Sequence, residues 1–158
     1  MAIWTNSDGL EVRFNLDRTT DAGGGTTIGT EKILVVDLPD ATALGDTDTA
    51  AVAGDAAFIP AGSLVLSAHF YVDTAFTSAG LAVLDIGFKQ AAGTNIADDG
   101  VDAAVALAAL GANMAVPCDG VLVDGTEWLA NDSYPMFTYD TAAFTAGAGK
   151  LIIKYIQV

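Results

Sequence analysis

The sequence predicts an all-β fold, an antiparallel β-sandwich of jelly-roll type with one short helix. Three observations carry this. Apolar residues fall at every second position in several segments, the period of a strand with one buried face. The acids are 17 Asp against 3 Glu, and Asp suits turns and caps where Glu suits helix interiors. Turn signals divide the chain into roughly eight to nine short strands, the layout of a sandwich.

In order along the chain, Val12, Phe14 and Leu16 alternate with Glu11, Arg13 and Asn15, a short half-buried strand. Gly23-Gly24-Gly25-Thr26-Thr27 reads as a flexible link. Ile33 to Leu38 is a β-branched apolar run halted by Pro39-Asp40, hence a strand with a breaker behind it. Residues 40–56 are Ala, Asp, Thr and Gly with little to pack, and read as a long loop. Pro60-Ala61-Gly62 is a turn. After it Leu64, Leu66, Ala68, Phe70 and Val72 form one face, with Ser63, Ser67, His69, Tyr71 and Asp73 mostly on the other. Thr74 to Gly80 reads as a loop centred on Phe76. Ala82, Leu84, Ile86 and Phe88 then repeat the strand pattern against Asp85, Gly87 and Lys89. Asp98 to Gly111, with an Asp start and dense alanine, is the expected helix. Val116 to Val123 contains the Asp119-Gly120 turn signal, and Asp124-Gly125 follows. Strands are expected at Thr126–Ala130, Tyr134–Tyr139 and Lys150–Val158, the last alternating Leu151, Ile153 and Tyr155 with Lys150, Ile152 and Lys154.

The 158 residues fit a single domain, 1–158, with residues 1–30 as an N-terminal arm and first strand. No internal repeat or dividing linker is visible. The net charge is −14, and the six basic residues are scattered. No basic stripe is present, which disfavours nucleic acid and an anionic membrane surface as partners. The longest apolar stretch, Ala103 to Ala112, is about half of the ~20 residues a membrane helix needs. Met1 to Gly9 is polar, so no signal peptide is expected. Hydrophobic residues make up 52% of the chain and mean hydropathy is +0.45. Alanine accounts for much of this, but the remainder implies apolar surface covered by other subunits.

No residue set calls for catalysis, a cofactor or a metal. His69 is the lone histidine and sits mid-strand, where a half-exposed structural role is expected. Cys118 is the lone cysteine, so no internal disulfide is possible, and it reads as a small packed side chain. Asp98, Asp99 and Asp102, near Asn95, are the densest acid cluster. Hard cations bind such oxygens, but the spacing is not an EF-hand loop, and helix capping by Asp accounts for it. Asp46, Asp48 and Asp55 form a looser group. Gly147-Ala148-Gly149-Lys150 lacks the Ser or Thr of a phosphate loop, and a strand follows it. Asn131-Asp132-Ser133 has the form of a glycosylation sequon. Trp4, Trp128, Tyr134, Pro135 and Met136 fit a carbohydrate platform, a subunit interface or core packing. Interface candidates are Trp4, Leu10, Arg13 and Phe14, ahead of the glycine hinge, together with Trp128 and Tyr134.

Several segments together resemble the small decoration, or cement, proteins of tailed bacteriophage heads, especially those of marine phages. They are Trp4-Thr5-Asn6-Ser7-Asp8-Gly9-Leu10 with Val12-Arg13-Phe14, Ile59-Pro60-Ala61-Gly62-Ser63, Thr74-Ala75-Phe76-Thr77-Ser78-Ala79-Gly80, and Phe144 to Leu151 leading to Tyr155. They span nearly the whole chain, and none is a catalytic signature. The resemblance implies a non-enzymatic β-sandwich on the outer surface of a virion capsid. It would tie major capsid proteins together and assemble as a dimer or trimer with itself. It carries over no functional residue. The alternative is a tail- or fibre-associated binding module, with Trp128 and Tyr134 recognising carbohydrate.

Overall fold

The computed structural model describes residues 2–5, 11–14, 31–45, 51–52, 57–90 and 94–157. Ten strands are described. β1 (Ala2–Thr5) and β2 (Glu11–Phe14) form a two-stranded antiparallel sheet, with Trp4 opposite Val12 and Ala2 opposite Phe14. The remaining eight are β3 (Lys32–Leu38), β4 (Ala51–Val52), β5 (Ser63–Ser78), β6 (Val83–Lys89), β7 (Asn95–Ala106), β8 (Ala115–Cys118), β9 (Tyr134–Asp140) and β10 (Phe144–Gln157). They build two four-stranded sheets, ordered β3-β10-β5-β8 and β4-β9-β6-β7.

This order is that of a jelly roll. The pairs β3:β10, β4:β9, β5:β8 and β6:β7 are all antiparallel, as in one long hairpin with its tip between β6 and β7. Folding that hairpin over brings β10 against β5 and β9 against β6, which completes both sheets. Side chains of alternate residues then meet in a core about 10 Å thick. Phe70, Leu84, Ile86, Phe88, Phe137, Leu151 and Ile153 are all fully buried there.

Aromatic rings run through this core from sheet to sheet. Tyr139 meets Phe144 at 6.5 Å, Phe144 meets Phe76 at 5.1 Å, Phe76 meets Phe70 at 5.9 Å, and Phe70 meets Phe137 at 5.9 Å. Most of the contacts are edge-to-face, the geometry that aligns ring edges with ring faces. Phe76 is therefore a core residue in a strand, and the loop expected at Thr74–Gly80 begins only after Ser78.

β5 also changes phase. Ser63 and Val65 point inward, and so do Ala68, Phe70 and Val72, while Leu64 and Leu66 are only partly buried. The extra residue lies in a bulge where Lys154 pairs with Ser67 and Tyr155 with Val65. A single uninterrupted alternation over Leu64–Val72 is thus corrected to two half-strands joined out of phase.

The largest correction concerns Asp98–Gly111, which is not a helix. Residues 95–106 are strand β7, followed by one 3-10 turn at Leu107–Ala109. Phe88 pairs with Ala97 and Ile86 with Asp102, so β7 carries several extra residues across from Gly87. A Cβ on Gly87 would collide with the backbone of Ala97 and Asp98. Further on, Ala104 takes φ 53 while its N–H donates to Asp85 Oδ1 at 2.7 Å. Small residues are placed here for bulges, not for helix propensity. The described residues within 40–56 also differ from the expected loop. Asp40 caps a 3-10 turn at Ala41–Ala43, accepting from Thr42 N at 2.8 Å, and Ala41 and Leu44 are buried. At Thr126–Ala130 there is only an isolated bridge, Trp128 to Leu64.

Gly147 and Gly149 set how closely β10 approaches β5. Gly147 has φ +146, and a Cβ there would lie 2.5 Å from the Phe76 ring. Gly147→Ala is expected to destabilise the fold by about 2–3 kcal/mol through overpacking and backbone strain. Urea denaturation checks this. An unchanged midpoint would show that the close approach is not required.

Candidate functional site

Every histidine- or cysteine-based device depends on His69 or Cys118. His69 is exposed on the outward side of β5, opposite Ile152 and Pro117. Cys118 ends β8 and is half-buried. Burial first, and the neighbouring Asp102 carboxyl second, push its thiol up to about 12. A thiol held there supplies almost no thiolate at neutral pH, so it is a poor nucleophile.

Asp102 is 5% exposed. It lies where the two sheets are stitched along one side of the sandwich. There Gly120 N–H donates to Val101 O at 2.9 Å and Leu122 N–H to Gly100 O at 2.8 Å. A Cβ on Gly120 would strike the Gly100 carbonyl, so this seam needs glycine. Burial, then the charge of Asp119, with a smaller push from Asp85, raise the Asp102 carboxyl to about 6, against the stabilising Cys118 and Ala103 donors. Asp98 and Asp99 sit on the β7 bulge, and among the described residues no group of three His, Cys, Asp or Glu side chains could hold a metal ion. Asp46, Asp48 and Asp55 lie outside the described residues.

The most distinctive surface is the outward face of the β3-β10-β5-β8 sheet. One row crosses all four strands as Val35, Ile152, His69 and Pro117. Ile33 stands in the adjacent row beside Lys154, and Tyr71 beside Lys150. Trp128 joins this face: it pairs with Leu64, whose neighbours Ser63 and Val65 point inward, so Leu64 and Trp128 point outward with Ile156. Ile33 is 62% exposed, Val35 50% and Trp128 52%. A sheet whose outer face met only water would be polar there.

Tyr134 stands elsewhere, at the start of β9, stacked on Phe58 with centroids 5.3 Å apart. The structure therefore gives Trp128 and Tyr134 separate partners, Leu64 and Phe58. Met136 and Pro135 are buried. Trp4, Arg13 and Phe14 belong to the β1–β2 pair, and Leu10 and the Gly23–Gly25 hinge lie outside the described residues. The Gly147–Lys150 segment is inside β10, where its glycines serve packing. Ser133 of the sequon is buried, its hydroxyl donating to Asn131 O at 2.8 Å.

A chain of the cyanophage Pam1 capsid asymmetric unit superimposes with a TM-score of 0.61 at 18% identity, over 98% of this chain and 98% of that one. The chain shares its fold with phage capsid chains. A second, from the capsid of Ralstonia phage GP4, superimposes with a TM-score of 0.58 at 16% identity, over 89% and 93% of the two chains. No protein-family model and no curated protein sequence matches.

Because the Asp102 carboxyl is raised in the fold above its ordinary 3.8, its contribution is fully present below about pH 4 and is lost as pH rises through about 6. The gap converts to about 3 kcal/mol. Asp102→Asn is expected to stabilise the protein by roughly 2–3 kcal/mol at pH 8 and by little at pH 3.5, as read from denaturation curves at the two pH values. Equal effects at both would contradict the placement of the carboxyl in the seam.

Proposed function

We propose that this chain is a non-enzymatic structural component of a phage virion, a decoration protein on the outer surface of the head. In this role it holds neighbouring major capsid subunits together and associates with copies of itself. The carrying observation is the end-to-end agreement in fold with a chain of a phage capsid asymmetric unit, which leaves almost no part of either chain over. The segments from Trp4 to Tyr155 that resemble decoration proteins point the same way.

Charge supports the outer location. Packaged DNA is a dense polyanion, and a subunit of net charge −14 facing it would be repelled. Outside the shell the same charge keeps the free subunit soluble and limits indiscriminate aggregation.

The N-terminal hairpin is the proposed capsid contact. Its two strands pair with each other in a sheet separate from the sandwich, and they bring Trp4, Arg13 and Phe14 into one small unit. Interface energy concentrates in such aromatic and Arg anchors. Removing residues 1–10 alone would strip β2 of its partner, so the clean deletion is 1–14. The truncated protein is expected to keep its β-type circular dichroism, while the intact chain, and not the truncation, cosediments with heads lacking it. Failure of the intact chain to bind such heads contradicts the capsid reading. Undiminished binding by the folded truncation contradicts the hairpin contact.

A further inference from the structure

The outward face of the β3-β10-β5-β8 sheet differs from the rest of the molecule in charge as well as polarity. Its charged side chains are Lys150 and Lys154 against Glu31, Asp37 and Asp73, while Lys32 lies opposite the inward-facing Tyr155. Lys150 bonds Asp73 at 2.7 Å and approaches Asp37 at 3.9 Å, and Lys154 lies 3.8 Å from Glu31. Two against three leave this face only one negative charge in excess. The other four basic and seventeen acidic residues, and so −13 of the −14, lie elsewhere on the chain. The rest of the chain therefore carries nearly all of the acid excess. Two copies approaching by this face bring nearly neutral surfaces together.

We infer that this face docks a second copy of the chain. The row Val35–Ile152–His69–Pro117 spans about 14 Å across four strands at ~4.8 Å spacing. Ile33 and Trp128 extend it along the strands. An apolar centre with a rim of compensated lysines and carboxylates is the anatomy of a specific interface, and Trp128 supplies the aromatic anchor. Like sheets pack face to face about 10 Å apart with their strands nearly aligned. The two copies then share an apolar layer, and the acidic remainder of each points away from the other. The inference deepens the self-association proposed above but rests on the sheet face alone, so it can be tested without capsids.

Sedimentation equilibrium of the intact chain is the test, at tens of micromolar and at about 0.05 and 0.5 M NaCl. Higher salt screens the residual acid repulsion, so dimerisation is expected at both and is expected to tighten in the stronger salt. Val35→Asp and Trp128→Ala are each expected to weaken it about tenfold or more, with circular dichroism unchanged. Leu81→Asp, at an 84% exposed residue in the β5–β6 connection, is the control and is expected to leave it unaltered. A monomeric intact chain in both salts overturns the inference. So does a dimer that withstands both substitutions in folded protein, or a folded Val35→Asp that keeps its oligomeric state and loses only head binding. A chain that dimerises through this face but ignores heads upholds the inference while removing the capsid reading.

Discussion

The pairing of β10 with β5 is the interaction on which the rest of the structure depends. These are the longest strands, 14 and 16 residues, and they occupy the middle of their sheet. β3 reaches the sheet only through β10, and β8 only through β5. The first strand of the sandwich thus has no hydrogen-bonded neighbour until the last strand arrives, with Val36 opposite Leu151. Such a layout is dominated by non-local contacts and folds slowly for its size. A pair this long also twists, and a strict alternation would carry its apolar side out of register with the opposite sheet. Bulges at Val65–Ser67 and near Ala146–Gly149 reset the phase, so that Val65, Phe70 and Phe76 all reach the same core.

A second consequence follows on the outside. Both β3 and β10 are apolar on their two faces around Ile33-Leu34-Val35-Val36 and Leu151-Ile152-Ile153. One set fills the core, and the other, Ile33, Val35 and Ile152, stands outward beside Trp128. The charges are distributed in the complementary sense, nearly balanced on this face and acidic elsewhere. A sandwich with one nearly neutral apolar face, one stitched side seam and a separate N-terminal hairpin has distinct surfaces for distinct neighbours, which suits a subunit placed in a symmetric assembly.

The parts of the fold legible in the sequence were those with an unbroken period. Ala82–Leu84–Ile86–Phe88 and Leu151–Ile153–Tyr155 alternate without interruption, and all of these residues are buried, all but Ala82 within strands. Legibility failed where backbone geometry, rather than periodicity, chose the residue. Gly100 is small because a Cβ there would meet Leu122 and Ala97, Ala103 and Ala104 stand exposed on the bulge, and this run of small residues imitates helix propensity. Leu64 and Leu66 read as inward in the sequence because a bulge leaves no mark in an apolar run. Phe76 was hidden among Thr and Ser, which suit a strand as well as a loop. The outward face did leave a signal. An unbroken β-branched run such as Ile33–Val36 implies apolar side chains on both faces of its strand, and only the topology shows which of them the core leaves uncovered.

We propose that this jelly roll sits on the outside of a phage head. A cryo-EM reconstruction of the head that incorporates the chain measures this most directly. Density for the two-sheet sandwich is expected above the outer surface of the shell, with the β1–β2 hairpin toward the capsid and the β3-β10-β5-β8 faces of neighbouring copies in contact. Density for the chain in the tail, or lining the interior against the packaged DNA, would contradict it.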